Sequence, residues 1–282
     1  MIDDDALWVL RKLGKAGFSG YLVGGGVRDL YIGKKPKDFD ISTNARPGQI
    51  RKLFPNSRTI GRRFRLVQVF FRKGKVLEVS TLRSLSEHEF DGPEAVLVPN
   101  NTFGTLDEDA QRRDLTINGL FYEVESETII DYVGGVDDLD KSVIRIIGDP
   151  HKRINRDPVR MMRVIRHSAR IGFTIDQQSW DTLSVNSHKL RLCPASRLRD
   201  ELLKDIYSGV SEPWFRLAVD SGLFVELFPP YRDILYTTQP NGDSCLENLT
   251  AIFSTIDRTN NEAVSSGYHR QPAFFQLALI LT

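Results

Sequence analysis

Short apolar runs separated by glycine-rich, proline-rich and charged turns fill the first half of the chain, and this pattern predicts a small sheet flanked by helices. Leu7, Leu10 and Leu13 recur at helical spacing, so the chain is predicted to begin with an amphipathic helix. The predicted helices are residues 5–16, 27–31, 47–54 and 108–120, and the predicted strands are residues 21–23, 38–41, 66–71, 76–81 and 129–133. Residues 143–147 are predicted to form a strand or a linker.

The second half of the chain shows helical periodicity along most of its length. Arg160, Arg163, Arg166 and Arg170 recur every three or four positions and form one basic stripe on a predicted helix. Such a stripe is commonly a face exposed to water. A later helix is predicted to be capped by Ser196 or its neighbours. The predicted helices are residues 157–171, 194–207, 213–223 and 226–228.

The composition limits the class of protein. The chain has 282 residues, 40% of them hydrophobic, so it can bury a core and is expected to form two or three domains. Its formal net charge is +1, so a nucleic-acid site must come from local basic patches. Cys193 and Cys245 are far apart and lack metal-ligand spacing, which indicates a reduced, cytoplasmic protein.

Neither end of the chain predicts a targeting or membrane segment. The acidic start has no basic region ahead of an apolar run, so a signal peptide is not expected. No apolar run approaches the ~20 residues that cross a bilayer, so no membrane partner is predicted. The sequence ends inside an apolar run at residues 274–281, and we therefore expect a helical body that continues beyond residue 282.

Three glycines, Gly24 to Gly26, separate the strand at residues 21–23 from a predicted helix. This strand–turn–helix order places bare backbone N–H groups and the positive end of a helix dipole together, an arrangement that suits a phosphate. Arg28, one turn into the helix, adds a guanidinium that can make a bidentate phosphate contact. A glycine run by itself is more often a simple turn.

Two carboxylates, Asp38 and Asp40, lie two positions apart in a predicted strand. The two-residue period of a strand puts both on one face and buries Phe39 and Ile41 on the other. Neighbouring carboxylates repel each other, and a shared divalent cation such as Mg²⁺ relieves the repulsion. Two such ions about 3.5–4 Å apart would hold the attacking and leaving oxygens of an in-line displacement. The plainer explanation of an isolated acidic pair is a solvated strand end.

Further candidate side chains follow in the next two predicted elements. Glu78 interrupts the apolar residues of a strand, where a carboxylate is costly unless it is paired or metal-bound. The alternative is an edge strand that turns Glu78 towards water. Arg113 and Asn118 can reach a nucleotide phosphate or sugar. The alternative for the arginines here is pairing with nearby Asp107 and Asp109.

Three motifs of this sequence together resemble a known family. They are LVGGGVRDLYIGKKPKDFD at residues 22–40, RRDLTIN at residues 112–118 and DPVRMMR at residues 157–163. Their residues and their order along the chain are similar to those of the motifs of the class II nucleotidyltransferases of the polymerase-β superfamily. That family comprises bacterial poly(A) polymerases and CCA-adding tRNA nucleotidyltransferases, and the resemblance extends over residues 20–235.

The resemblance implies an α+β head of the polymerase-β nucleotidyltransferase type, with a small mixed sheet flanked by helices, followed by an all-α neck and body. The expected domains are a catalytic head at residues 1–148, a nucleotide- and RNA-binding neck at residues 149–210, and an incomplete helical body at residues 211–282. It also implies Mg²⁺ as the cofactor, with Mn²⁺ as an alternative, held by Asp38 and Asp40.

The resemblance further implies roles for individual residues. Glu78 is the expected third acid beside the aspartate pair, and Asp114 is the other candidate for that place. Asp157 and Arg160 are expected to hydrogen-bond the base edge of the incoming nucleotide, and Arg156 stands where the family has Glu. The full set of expected nucleotide-binding residues is Gly24, Gly25, Arg28, Arg113, Asn118, Asp157, Arg160 and Arg163.

The implied chemistry is transfer of a nucleoside monophosphate from an NTP to an RNA 3′-hydroxyl, with release of pyrophosphate. The GRRF run at residues 61–64 resembles the poly(A) polymerase version. This favours addition of AMP from ATP to RNA 3′ ends, with Arg62, Arg63 and Arg65 as RNA-binding residues. The alternative is a tRNA nucleotidyltransferase that adds C, A or CCA to tRNA 3′ ends. A third hypothesis, an RNA-binding scaffold with an inactive head, is disfavoured because a scaffold does not need all three motifs.

Overall fold

A computed structural model describes residues 2–61, 65–84, 103–238 and 244–266 of the chain, apart from the side chain of Lys73. The chain divides into two compact units, Met1–Gly148 and Asp149–Thr282. The apolar run at residues 274–281, on which the expected continuation of the body depends, lies outside the described residues.

The first unit mixes helices and strands, and the second is almost wholly helical. The helices of the first unit are α1 (Asp4–Lys15), α2 (Gly25–Tyr31), α3 (Pro47–Leu53), α4 (Leu106–Gln111) and α5 (Gly135–Asp140). Its strands are β1 (Gly20–Val23), β2 (Asp40–Thr43), β3 (Ser57–Ile60), β4 (Leu66–Phe70), β5 (Val76–Thr81), β6 (Phe121–Glu123), β7 (Thr128–Ile130) and β8 (Val143–Ile144). The second unit holds α6 (Pro150–Arg156), α7 (Arg160–Ile171), β9 (Thr174–Ile175), α8 (Gln177–Asn186), α9 (Ala195–Ile206), α10 (Ser211–Asp220), α11 (Leu223–Leu227) and α12 (Cys245–Ser265).

Seven strands in the described part of the first unit form one mixed sheet, in the order β3-β4-β5-β2-β1-β6-β7. Strands β2 and β5 run parallel, and the other neighbouring pairs in this sheet are antiparallel. Helices α1 and α3 contact the sheet and bury Leu13 and Ile50 in the core. The predicted mixed sheet with flanking helices is therefore confirmed.

The local sequence explains why the chain begins with helix α1. The Asp3 carboxylate accepts hydrogen bonds from the N–H groups of Asp5 (2.9 Å) and Ala6 (3.3 Å), so it caps the first turn. The first turn contains acidic residues, and the last turn contains Lys12 and Lys15. Charges of these signs at the two ends interact favourably with the helix dipole and stabilise the helix. The first predicted helix is confirmed.

The helix predicted over residues 108–120 is wrong in its second half. Helix α4 begins with a capping box, in which Thr105 and Glu108 each accept a backbone hydrogen bond from the other, and it ends after six residues. The chain then turns to pair with a distant segment, and the N–H of Thr116 donates to the carbonyl of Arg145 at 3.0 Å. This pairing takes the place of helical hydrogen bonds and leaves a short 3₁₀ turn.

The β4–β5 hairpin confirms the two strands predicted at residues 66–71 and 76–81, apart from one residue at the end of the first. The sequence pattern does not predict β3 or β6. Strand β3 has a single apolar residue, Ile60, and owes its conformation to pairing with β4 over four residues. Strand β6 is three residues long and pairs with both β1 and β7.

The first helix predicted in the second unit starts later than expected. Helix α7 begins at Arg160, because Asp157 ends a preceding helix, α6, that the sequence pattern does not predict. Asp149 caps α6 by accepting from two backbone N–H groups, and Pro150 occupies its first turn. The predicted cap at Ser196 is wrong, because this residue lies inside α9, which has no side-chain cap.

The arginine stripe of α7 is not a uniformly solvated face. Arg166 is 8% exposed and lies 2.5 Å from Glu201 and 3.0 Å from Asp205, both on helix α9. Arg163 lies 3.4 Å from Glu201, whereas Arg170 is exposed. Buried ion pairs therefore join α7 to α9.

Aromatic side chains from α10, α11 and α12 build the apolar core of the second unit. Phe215 stacks on Phe253 with 4.5 Å between ring centroids, and Phe224 meets Phe215 edge-on at 4.8 Å. Trp214 packs against the same cluster, 6.2 Å from Phe253. Among the described residues, no helix combines the length and the apolar composition that crossing a bilayer requires.

Candidate active site

The glycine turn lies between β1 and α2, as the sequence predicts. Gly24 has φ +69°, a conformation that residues with a side chain rarely adopt, and helix α2 starts at Gly25. A side chain at position 24 would come within 3.4 Å of an Arg113 guanidinium nitrogen. A side chain on Gly26 would come within 3.1 Å of the Asp38 carbonyl oxygen. The turn therefore lies directly against the arginine and the segment that carries the aspartates.

Arg28, predicted to bind phosphate, is only 4% exposed. Its Nη1 donates to the side-chain oxygen of Asn118 at 2.8 Å. Its Nε and Nη2 donate to Asp29 at 2.9 and 2.7 Å. The fold thus brings Arg28 and Asn118 together, although they are 90 positions apart in the sequence. A bidentate phosphate contact from Arg28 would have to replace its ion pair with Asp29.

The two aspartates keep the alternation that the sequence predicts, although only one of them is in a strand. Strand β2 begins at Asp40, so the predicted strand is wrong for Asp38 and Phe39. Phe39 and Ile41 are nevertheless buried, while Asp38 and Asp40 are exposed. Both carboxylates therefore lie at the surface, at the point where β2 starts.

Glu78 is the residue that faces Asp40 within the sheet. The two are register partners on the parallel strands β2 and β5, so their side chains leave the same face. Because β5 lies between β4 and β2, the alternative of an edge strand is wrong. Glu78 is half-buried and also accepts a hydrogen bond from Gln68 Nε2 at 3.1 Å.

Three carboxylates act on one another at this point. Desolvation by the surrounding protein, together with repulsion from Glu78 and Asp38, raises the pKa of the Asp40 carboxyl, and Arg113 opposes this shift. Asp40 keeps surface open to solvent, so its negative charge is available to a ligand. A cation bound here would relieve the repulsion.

The donor chemistry fits a hard divalent cation. Mg²⁺ in proteins commonly binds one or two carboxylates together with substrate phosphates and water. Asp38 and Asp40 offer that donor set beside the glycine turn, with Glu78 as a further negative charge. Within the residues that the structure describes, no group of three or more His, Cys, Asp and Glu side chains is gathered closely enough to hold a metal ion by itself.

The buried carboxylate of Asp109 pairs with both arginines of the RRD motif. It lies 2.6 Å from Arg112 and 2.9 Å from Arg113, so the predicted alternative of local pairing is correct for Asp109. Burial acts to raise the pKa of Asp109, but the two guanidinium groups outweigh it and lower that pKa. Asp114, next in the motif, accepts a hydrogen bond from the Ile147 N–H through its backbone carbonyl at 3.2 Å.

Arg113 connects the glycine turn with the face of the sheet. Its Nη2 lies 3.4 Å from Ser42 Oγ, and its Nη1 lies 3.4 Å from the Asn118 carbonyl oxygen. The guanidinium also stacks over Phe121, 5.1 Å from the ring centroid. Its charge acts on Asp40 as well. Arg113 is therefore close to the glycine turn, which is predicted to bind phosphate, and acts on Asp40, which is predicted to bind metal.

Further predicted nucleotide contacts lie in the second unit. Asp157 ends α6, and the Arg197 guanidinium of α9 meets its carboxylate, with Nη1 2.9 Å from Oδ1 and Nη2 3.0 Å from Oδ2. Arg160 begins α7 and donates to the carbonyl of Arg153 at 3.2 Å. Arg197 could not be predicted as a partner of Asp157, because the two lie 40 positions apart and no local sequence pattern connects them.

Of the three arginines expected to bind RNA, Arg62 and Arg63 lie outside the described residues. Arg65 is exposed and directly precedes β4. The RNA-binding role of these three arginines stays a prediction.

Known proteins match this chain in both units. Residues 20–145 match the Poly A polymerase head domain, and residues 172–235 match the probable RNA and SrmB-binding site of polymerase A. The chain is 44% identical over 270 residues to Poly(A) polymerase I of Salmonella typhi, an alignment that covers 93% of this chain and 57% of that protein. It is 33% identical over 266 residues to the CCA-adding enzyme of Lactobacillus gasseri, with coverages of 93% and 65%.

A solved structure agrees with these matches. The Bacillus stearothermophilus CCA-adding enzyme in complex with CTP has a TM-score of 0.67 and 32% sequence identity, over 77% of this chain and 52% of that chain. The chain spans less than two thirds of the length of these relatives. The head-domain match includes the first two sequence motifs, with their glycine turn, aspartates and RRD segment. The chain therefore belongs to the family of bacterial poly(A) polymerases and CCA-adding enzymes, the class II nucleotidyltransferases.

Proposed function

We propose that this chain forms the nucleotidyltransferase part of an enzyme that adds AMP from ATP to RNA 3′ ends without a template. The observation that carries the proposal is the register of Asp40 with Glu78, beside Asp38 and against a glycine turn that Arg113 also contacts. The 44% identity to a poly(A) polymerase favours ATP and a general RNA 3′ end as the substrates.

In the proposed reaction the RNA 3′-oxygen attacks the α-phosphorus of ATP in line, and the bond to pyrophosphate breaks. Little covalent work falls to the protein, so positioning and charge neutralisation dominate. Asp38 and Asp40 would hold Mg²⁺, with Mn²⁺ as the alternative ion. An ion held there would supply charge that lowers the pKa of the 3′-hydroxyl and neutralises the triphosphate.

Glu78, and not Asp114, is the third acid in this proposal. Glu78 occupies the position paired with Asp40 on the neighbouring strand and acts on the Asp40 charge, which supports the assignment. The hydrogen bond from Gln68 orients the Glu78 carboxylate on the same face. Asp114 instead belongs to the turn that joins α4 to the segment at residues 145–147.

Each unit supplies candidate nucleotide contacts of its own. The backbone at Gly24 and Gly25 leaves room for a phosphate, and Arg113 stands beside it with a positive charge. Arg28 orients Asn118, whose side chain can then reach the sugar. The base edge is assigned to the second unit, where Asp157 accepts from an amino group and Arg160 donates to ring nitrogens or carbonyls, with Arg163 following one turn later on α7.

A second candidate function is addition of C, A or CCA to tRNA 3′ ends. Its support is the 33% identity to a CCA-adding enzyme and the likeness to a CCA-adding enzyme whose structure contains CTP. The same aspartates and glycine turn would serve that reaction, because only the base selection and the RNA differ.

The test incubates the protein with Mg²⁺, one NTP at a time, and either a generic RNA or a tRNA that lacks its terminal CCA. Long A tails on generic RNA support the proposed function. Addition of one to three residues to tRNA alone would support the second candidate. No transfer onto either RNA with any NTP would contradict both and leave the RNA-binding scaffold as the remaining hypothesis.

A further inference from the structure

The buried carboxylate of Asp109 holds both arginines of the RRD segment and a backbone N–H just beyond strand β5. Its Oδ1 accepts from Arg112 Nε at 2.7 Å and from the N–H of Arg83 at 3.1 Å. Its Oδ2 accepts from Nη2 and Nε of Arg113 at 2.9 and 3.3 Å. Asp109 is 0% exposed, so a ligand does not reach it and the proposed reaction does not use it directly.

The Arg113 guanidinium is restrained on other sides as well. Its Nη2 lies 3.4 Å from Ser42 Oγ, and its Nη1 lies 3.4 Å from the Asn118 carbonyl oxygen. Ser42 is itself buried, and its hydroxyl lies 3.1 Å from that of Ser80 on the neighbouring strand β5. Several groups therefore fix the position of the Arg113 charge, and Asp109 supplies a negative charge among them.

Asp40 lies within reach of the same guanidinium. Asp40 and Ser42 are two positions apart in β2, so they share a face and lie about 7 Å apart along the strand. Arg113 contacts Ser42, and its positive charge acts on Asp40. Among the residues that the structure describes, none forms an ion pair with the Asp40 carboxylate. Arg113 is therefore near enough to compete for Asp40 but is paired with Asp109 instead.

We propose that Asp109 is a positioning residue that keeps Arg113 from pairing with Asp40 and so leaves Asp40 able to bind a divalent cation. This inference rests on the metal-binding role that is proposed above for Asp38 and Asp40. Asp109 contacts neither the metal nor the nucleotide, and it acts only through Arg113.

The difference in burial explains why Arg113 stays with Asp109. Opposite charges attract more strongly where water is excluded, and Asp109 is buried whereas Asp40 is exposed. If Asp109 lost its charge, the largely buried guanidinium of Arg113 would lose that counter-ion, which is costly. An ion pair with Asp40 would then replace it and would place a positive charge where the proposed cation binds. The arginine and the metal ion would compete for one carboxylate.

The first experiment measures the apparent Kd for Mg²⁺ from the dependence of Tm on Mg²⁺ concentration, with no nucleotide present. Asp109→Asn removes the charge but keeps the shape of the side chain and an oxygen that accepts hydrogen bonds. The apparent Kd should increase about tenfold, because Arg113 now competes for Asp40. The matched control is Asp107→Asn on the same helix, which changes an exposed side chain and should keep the wild-type Kd.

A second comparison tests whether the effect passes through Arg113. Arg113→Gln should lower the apparent Kd for Mg²⁺ severalfold, since it removes a positive charge that acts on Asp40. Adding Asp109→Asn to Arg113→Gln should then change the apparent Kd by less than about twofold, because the competing arginine is gone. A purely structural role of Asp109 would instead weaken Mg²⁺ binding by the same factor in both backgrounds.

Ser42→Ala tests the same restraint without removing a buried charge. It loses the 3.4 Å contact with Arg113 and should raise the apparent Kd for Mg²⁺ by about twofold, since that contact is long. This variant decides the question if Asp109→Asn does not fold.

The outcomes separate the inference from the proposed metal site. An unchanged apparent Kd in Asp109→Asn, or in Ser42→Ala where Asp109→Asn does not fold, would overturn the positioning role and leave the metal site intact. An equal increase with and without Arg113 would also overturn it. A wild-type Tm that does not respond to Mg²⁺ would overturn the metal-binding role of the aspartates, and this inference with it.

Discussion

Each unit of the molecule contains neighbouring carboxylates, and the two units treat them in opposite ways. In the first unit Asp40 and Glu78 face each other on parallel strands, and Asp40 remains exposed. In the second unit Glu201 and Asp205 are buried, and both lie within 3.0 Å of Arg166. The carboxylates of the first unit are therefore accessible to a ligand, whereas those of the second unit are already paired with Arg166.

The contrast shows what an acidic cluster needs in order to serve as a site. Buried carboxylates must be neutralised by the protein itself, because water cannot solvate them. Carboxylates at an open strand end can leave that neutralisation to a bound cation. Among the described residues, Arg113 opposes the negative charge of Asp40, and Arg113 also pairs with Asp109. Because Arg113 is shared with Asp109, Asp40 keeps negative charge, and we propose that this charge binds the metal ion.

The largest effect is expected for the exposed Asp40, and it is a loss of activity. Asp40→Asn should lower the rate of nucleotide addition by about a thousandfold or more, because several kcal/mol of charge stabilisation in the transition state is lost. Stability should be unchanged or slightly higher, since the substitution removes repulsion with Glu78. Activity is measured by single-nucleotide addition, and stability by urea unfolding. The exposed Asp107→Asn variant serves as the control, and retained activity in Asp40→Asn would remove Asp40 from the metal site.

The next largest effect is expected for the buried carboxylates Glu201 and Asp205, and it is a loss of stability instead of a loss of activity. Arg166→Met should lower the free energy of unfolding by about 3–5 kcal/mol, because it leaves two buried carboxylates without their shared cation. Arg199→Met, which breaks an exposed pair, should cost less than about 1 kcal/mol. Urea unfolding followed by tryptophan fluorescence measures both. Equal losses in the two variants would show that the buried pairs contribute no more than an exposed one.

A smaller effect should appear on changing the pH. Desolvation and repulsion from Glu201 raise the pKa of Asp205 to about 7, although Arg166 and Lys204 oppose the shift. The folded state then binds more protons than the unfolded state between its unfolded pKa, near 3.8, and about 7, so stability falls as the pH rises through that window. From pH 5.5 to 7.5 the loss from this group is about 2 kcal/mol.

Asp205→Asn should remove that part of the pH dependence, because an amide does not titrate. Urea unfolding of both proteins at pH 5.5, 6.5 and 7.5 isolates the contribution, since the remaining titratable groups are common to the two. The same pH slope in the variant and the wild type would contradict a raised pKa for Asp205.

The smallest effect is the stabilisation by the metal itself. An ion that binds only the folded state raises the unfolding temperature, and at a free concentration several times its Kd the gain is about 1 kcal/mol. We expect Mg²⁺ to raise the Tm of the wild type and of Asp205→Asn, and EDTA to reverse the rise. Asp40→Asn should show little change. An equal Tm rise in all three proteins would indicate that Mg²⁺ binds elsewhere.

Local sequence patterns predict the parts of this protein that depend on neighbouring residues. The glycine turn after β1 is predictable because Gly24 needs a positive φ, and the exposure of Asp38 and Asp40 is predictable because the residues alternate with buried Phe39 and Ile41. The β4–β5 hairpin is predictable for the same reason, since its apolar residues alternate on two adjacent segments.

Partners that are distant in the sequence could be identified only from the tertiary structure. The register that sets Glu78 opposite Asp40, and the turn of Thr116 away from the predicted helix, both depend on pairing between separate strands or segments.

The pairing of Asp157 with Arg197 depends on the packing of two helices 40 residues apart. Local patterns reflect the backbone geometry of a few consecutive residues, whereas the charges that meet inside a unit depend on which elements pack together. The sequence by itself therefore determined the residue types of the candidate site, and the tertiary structure decided which of them are adjacent and which charges remain open to a ligand.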